Sequence, residues 1–199
     1  MKMPDEKKDE RKEEQPGRNL YEWAQALVCS VLAAVVVFAF GARVVGVSGG
    51  SMRETLQNGD LLLVVNRALC GDFERGDVVI AAKAAFENGE PIVKRVIATE
   101  GQTVDIDFGA GVVYVDGQAL EEPYIREATH LDLGMEYPFT VPEGCVFLMG
   151  DNRNESRDSR EPPLGAVDTR CVIGRAVFLL LPGKTEDLNM REWDRIGTL

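Results

Sequence analysis

Between Ala24 and Ala42 the chain reads AQALVCSVLAAVVVFAFGA, nineteen residues without a charge. As helix this run rises about 28 Å, close to the roughly 30 Å hydrocarbon core of a bilayer. Three structures compete for it: a spanning helix, a cleavable signal peptide and a buried core helix. A signal peptide has a shorter apolar region behind a basic, less acidic start. A core helix shows a polar face, and here only Gln25 and Ser30 are polar. Spanning is therefore the favoured reading, with Tyr21 and Trp23 at the start, where amphipathic rings favour the membrane interface.

Cations set the orientation. Lys7, Lys8, Arg11, Lys12 and Arg18 precede the run, whereas Arg43 and Arg53 follow it. That bias keeps the N-terminus in the cytoplasm. The expected organisation is a polar, disordered cytoplasmic tail over 1–23, an anchor and juxtamembrane segment over 24–47, and an extracytoplasmic domain over 48–199.

The formal net charge of -11 lies wholly in that domain: residues 1–47 carry 7 basic and 7 acidic residues, leaving 15 against 26 beyond. Nucleic-acid binding draws on cationic contacts with phosphates, so nucleic acid is not an expected partner. Cys70, Cys145 and Cys171 follow the apolar run with no CxxC pair, which argues against a zinc site or a disulfide framework. One bridge among the three stays open.

Beyond residue 47 the apolar runs are short, β-branched and broken by turn residues. Strands are expected at Leu61–Asn66, Val78–Ala82, Pro91–Ala98, Thr103–Phe108, Val112–Val115, Val146–Met149 and Val172–Leu181. Asp116-Gly117 after Val113-Tyr114-Val115 is a strong hairpin signal, because that pair accepts positive φ. The fold class is mainly β, an antiparallel sheet or barrel-like domain on one N-terminal transmembrane helix.

Two stretches carry candidate chemistry. Gly49-Gly50-Ser51-Met52 offers a hydroxyl where glycine lets backbone approach closely, although most such triplets are simple turns. Lys94 has Ile92 and Val96 two residues away, on its own strand face. A buried amine loses stability as a cation and can act as a base near neutral pH. An edge-strand lysine that snorkels to water fits the spacing equally well. Serine and lysine together suggest a nucleophile and its base, and the only histidine is His130. A third stretch, Gly150 to Arg160, reads either as a charged surface loop with local ion pairs or as a loop held by the strand before it.

Taken together these segments resemble the bacterial type I signal peptidases, the serine–lysine leader peptidases. Gly50-Ser51-Met52-Arg53-Glu54-Thr55-Leu56, followed by Gly59-Asp60, resembles the family's nucleophile box. Lys94-Arg95-Val96-Ile97 is similar to its general-base box. Val113 to Gly117 with Glu122-Pro123-Tyr124-Ile125 resembles the hairpin between them. Val141-Pro142-Glu143-Gly144, Gly150-Asp151-Asn152-Arg153 and Ser156-Arg157-Asp158-Ser159-Arg160 match the last box. The resemblance runs from the anchor to about residue 182. Glu54 stands where the family commonly has proline, Gly49 where some members have a serine, and Gln102 where Gly-Asp is common.

The resemblance implies a Ser51 nucleophile and a Lys94 general base, with Ser156 hydrogen-bonding the amine. It implies an oxyanion site resting on the Ser51 N–H beside Gly49, an Asp158–Arg160 pair that stiffens the loop, and a structural Arg95. Shallow pockets lined by Val47, Ile92 and Val93 would admit only small side chains, one and three positions before the cut. No metal or cofactor is implied. The implied partners are secretory preproteins and membrane lipid, and the implied location is the cytoplasmic membrane with the catalytic domain outside. Two rivals stay in view: a self-cleaving serine–lysine protease of the repressor type, and a catalytically silent, membrane-anchored β module that binds peptides.

Overall fold

Among the described residues, short β-branched runs punctuated by glycine turns give twelve strands, preceded by one long helix. The structure is a computed structural model that describes residues 16–36, 41–184 and 190–199. Helix α1 spans Pro16–Val36 and forms a unit by itself; proline at its start has the fixed φ that a first turn needs. Residues 16–23, read above as polar tail, are its first turns, while 1–15 and 37–40 lie outside the described residues. Its side chains from Leu20 to Val36 are exposed, Leu27, Val28, Val31 and Leu32 among them. Among the described residues no helix is long and apolar enough to cross a membrane.

The strands are β1 (Ala42–Gly46), β2 (Leu61–Asn66), β3 (Val78–Ala81), β4 (Ile92–Thr99), β5 (Thr103–Asp107) and β6 (Val112–Val115). They continue with β7 (Gln118–Ala119), β8 (Phe139–Thr140), β9 (Cys145–Met149), β10 (Val167–Asp168), β11 (Val172–Leu181) and β12 (Gly197–Thr198). One sheet has the order β1-β2-β11-β3-β4-β9-β10, with β12 on β11, and a smaller one has the order β7-β6-β5-β8. Every pairing is antiparallel. The large sheet is an open path from β1 to β10 rather than a closed barrel. Asp116 and Gly117 form the β6–β7 turn with φ of 53° and 75°, the two positive values a two-residue hairpin loop demands.

β4 and β9 are buried on both faces, and β9 accordingly reads as an unbroken apolar run, whereas β4 carries Lys94 and Arg95 into the interior. On β9, Val146 and Leu148 pack with Val79, Val96 and Leu164, whereas Phe147 and Met149 pack with Ile97, Val104 and Val113. A third cluster, including Met52, Leu56, Leu62 and Ile80, lies under the turn between β1 and β2. The consequence for function is the placement of β4. It pairs with β3 on one side and β9 on the other, so Lys94 stands in mid-sheet, opposite Val79, rather than at an edge.

Candidate active site

Lys94 stands in mid-sheet rather than at an edge and is only 4% exposed. Burial pushes its amine down to about 8, with Arg160 adding to the fall and Asp158, Glu87 and Asp151 opposing it. The snorkelling alternative is thereby excluded. Lys94 Nζ donates to Ser51 Oγ at 2.7 Å and to the Val93 carbonyl at 3.1 Å.

Ser51 lies on the β1–β2 connection, whose Met52 and Leu56 are sunk into the core. Gly49 precedes it at φ +93°, a conformation other residues rarely adopt, and its N–H donates to Asn58 Oδ1. The Ser51 carbonyl accepts from the Asn152 N–H at 3.0 Å, and the Gly50 carbonyl accepts from Asn152 Nδ2 at the same distance. The loop after β9 therefore sets the serine backbone. A side chain at Gly150 would overlap both the Ser51 carbonyl and Ser156 Oγ, so glycine is what lets the two segments meet.

That loop is not a solvated charged surface. Asp151, Arg153, Asp158 and Arg160 are fully buried. Arg160 donates to both oxygens of Asp158 at 2.8 Å, and Asp158 also accepts from the Gly150 N–H. Arg153 pairs with Glu122 at 2.6 Å. Arg95 donates through Nε and Nη2 to the two oxygens of Asp151, at 2.9 and 2.7 Å, and its guanidinium lies over the Tyr124 ring. Buried charges survive only when fully paired, and these are.

A sequence model of the family described as "Signal peptidase, peptidase S26" matches residues 20–181. The chain belongs to the signal peptidase family. Signal peptidase I of Bacillus licheniformis is 35% identical over 188 residues, covering 90% of this chain and 96% of that protein. Signal peptidase I T of Bacillus subtilis is 35% identical over 174 residues, covering 81% and 85%. Among solved structures, a signal peptidase I from Enterococcus faecalis V583 is 29% identical, with a TM-score of 0.44, covering 53% of this chain and 97% of that one. The protein is a signal peptidase hydrolase, mainly β in fold.

In this signal peptidase Ser51 and Lys94 line a cleft of about 490 Å³, together with Val45, Ser48, Phe86, Ile92 and Val93. Val47 does not line it. Its backbone pairs with Gly59 and Asp60, and its side chain packs in the core with Met52 and Leu56. Ser156 is buried against Gly150, and its Oγ donates to the Arg157 carbonyl at 3.5 Å, while the amine's hydrogen bonds go to Ser51 and Val93. The four cysteines are free thiols. Among the described residues no group of three or more acidic, histidine or cysteine side chains could hold a metal.

Thr55, Asp151, Asn152 and Glu122, to which the sequence alone assigns no role, also meet around the site. Thr55 Oγ donates to Asp151 Oδ2 at 2.5 Å. The one sequence signal for them is that all four lie inside the stretches that resemble the family's boxes.

Proposed function

We propose that this signal peptidase is a membrane-anchored serine endopeptidase that removes N-terminal signal peptides from secretory preproteins, with Ser51 as nucleophile and Lys94 as general base. The observation that carries this reading is the 2.7 Å contact between Ser51 Oγ and a buried amine lowered to about 8. Once neutral, the amine turns its lone pair to the serine hydroxyl across that distance. Ser51 Oγ attacks the scissile carbonyl while its proton passes to Lys94 Nζ. The oxyanion that forms faces the Ser51 N–H, which makes no hydrogen bond among the described residues. The ammonium then protonates the leaving amine, giving an acyl-enzyme and a free mature N-terminus. Water, deprotonated by Lys94, attacks the ester, and Ser51 leaves with that proton.

The extended substrate lies between Val45–Gly50 and the start of β4, adding backbone hydrogen bonds as a strand does. Ile92 and Val93 contribute the apolar wall that favours small side chains one and three positions before the cut. Arg95, Asp158, Arg160 and Ser156 act on Lys94 and Ser51 by fixing the strand and loop around them.

For the anchor, the support is the uncharged run from Ala24, exposed Leu and Val side chains along α1, and cations gathered on its N-terminal side. Exposed apolar helix surface is stable in lipid and costly in water. The peptidase domain then stands outside the cytoplasmic membrane, tethered where signal peptides emerge, at raised effective concentration. The test is to incubate the full-length protein in detergent with a preprotein and sequence the new N-terminus. Cleavage after a small residue by the wild type, lost in Ser51→Ala and Lys94→Ala, supports the reading. An uncut preprotein, or variants that cut equally well, defeats it.

A further inference from the structure

Asp60 closes the turn that begins at Ser51, and its carboxylate is fully buried. Two backbone amides reach it, Gln57 N–H at 2.8 Å and Gly183 N–H at 2.6 Å. Its countercharge comes from the far end of the chain. Arg195 Nη2 donates to Oδ2 at 2.7 Å and Nη1 to Oδ1 at 3.2 Å. The same Nη2 also donates to the Thr55 carbonyl at 3.1 Å. A second contact lies beside it, with Gln57 Nε2 donating to Glu192.

The C-terminal residues are themselves secured. Gly197 and Thr198 of β12 pair with Leu179 and Phe178 of β11, and the Leu199 N–H donates to the Val177 carbonyl. The tail is thus fixed on the large sheet and sends one guanidinium back to the serine turn. Thr55 joins this contact to the rest of the site: its carbonyl accepts from Arg195, and its hydroxyl donates to Asp151. The turn is held from one side by Asp151 and Asn152 and from the other by Arg195. Only a planar, forked cation meets both carboxylate oxygens and a carbonyl at once, so lysine is no equivalent here.

We propose that Arg195 is a positioning residue for the nucleophile: by clamping Asp60 and Thr55 it holds the Ser51 turn in register with Lys94. The proposal rests on the serine–lysine reading above and adds to it a segment beyond the family boxes. Its test uses the full-length protein in detergent, as Arg195→Met and Arg195→Lys. Misplacing a nucleophile by a fraction of an ångström lowers turnover, so Arg195→Met should cut kcat about tenfold with KM within about twofold. Arg195→Lys should recover part of that loss. Amide hydrogen exchange in Arg195→Met should quicken at Leu56, Gly59 and Asp60 while β9 keeps its protection. A kcat within about twofold of wild type overturns the proposal, as does exchange that quickens equally across β9. A wild type that cuts no preprotein defeats the serine–lysine reading instead, and the exchange comparison then decides whether Arg195 holds the turn.

Discussion

Arg95 and Asp151 meet through two parallel hydrogen bonds, Arg95 next to Lys94 and Asp151 next to the two residues that contact the Ser51 carbonyl. Arg95 follows Lys94 on β4. Asp151 lies between Gly150, which packs on the Ser51 carbonyl, and Asn152, which hydrogen-bonds it. One ion pair therefore links the lysine's strand to the serine's backbone, and Thr55 ties the same carboxylate to the serine turn.

Asp151→Asn keeps the shape and removes the charge. It leaves a buried guanidinium without its anion, a change that costs about 3–5 kcal/mol in comparable sites. Urea denaturation should show a loss of that order, with turnover falling at temperatures where the variant is still folded. A variant as stable as wild type would show that the pair is dispensable.

The lowered Lys94 pKa fixes a pH dependence. With the amine at about 8, roughly one lysine in ten is neutral at pH 7 and half are at pH 8. Preprotein cleavage should rise with pH up to a midpoint near that value, about tenfold per unit on the acid side. Activity that stays flat from about pH 6 to 9 is incompatible with a neutral-amine base.

Stability should carry the same signature with its sign determined by linkage. The amine binds a proton less readily folded than unfolded, about 8 against an ordinary 10.5. The penalty for burying the cation is complete below about 8 and is relieved as pH rises toward 10.5. Lys94→Met lacks this penalty. Wild type should therefore gain about 3 kcal/mol on Lys94→Met across that interval. Parallel stability curves for the two proteins would argue that Lys94 is solvated.

Gly150→Ala and Gly49→Ala should differ in kind. The added methyl at 150 strikes the Ser51 carbonyl and Ser156 Oγ, and backbone cannot step aside cheaply. Overpacking of that sort costs about 1–3 kcal/mol, and here it should also lower kcat by moving Ser51. At Gly49 there is open space but a φ of +93°, so the cost is about 1–2 kcal/mol of backbone strain alone. Equal effects on kcat would mean that the Gly150 contact does not set Ser51.

All seven strands expected from sequence are present, to within one residue at each end, because β-branched runs bounded by Gly-Asp, Asn-Gly and Asp-Gly leave little choice. Five others escaped. β7, β8, β10 and β12 have two residues each, too short for any period to register, and β1 follows directly on the apolar run that draws the eye. From glycines and spacing alone Ser51 and Lys94 each left a bland alternative open, and it is the resemblance of several boxes in order that singles the two out. The supports were not legible, since a charge's partner is invisible when it lies 56, 96 or 135 residues away, as for Arg95, Thr55 and Arg195. Val47 illustrates the converse: the resemblance implies a pocket residue, whereas its apolar side chain packs in the core with Met52 and Leu56.

The order in which the chain supplies these parts has its own consequence. Ser51 and Lys94 lie 43 residues apart in the chain. The loop from Gly150 to Arg160 that holds the serine backbone comes much later, and the arginine behind the serine turn later still. A chain made only as far as Lys94 carries the hydroxyl and the amine but lacks the segments that hold them together. On the proposed serine–lysine reading, the topology then predicts an enzyme that cuts nothing until those later segments have folded onto the serine turn.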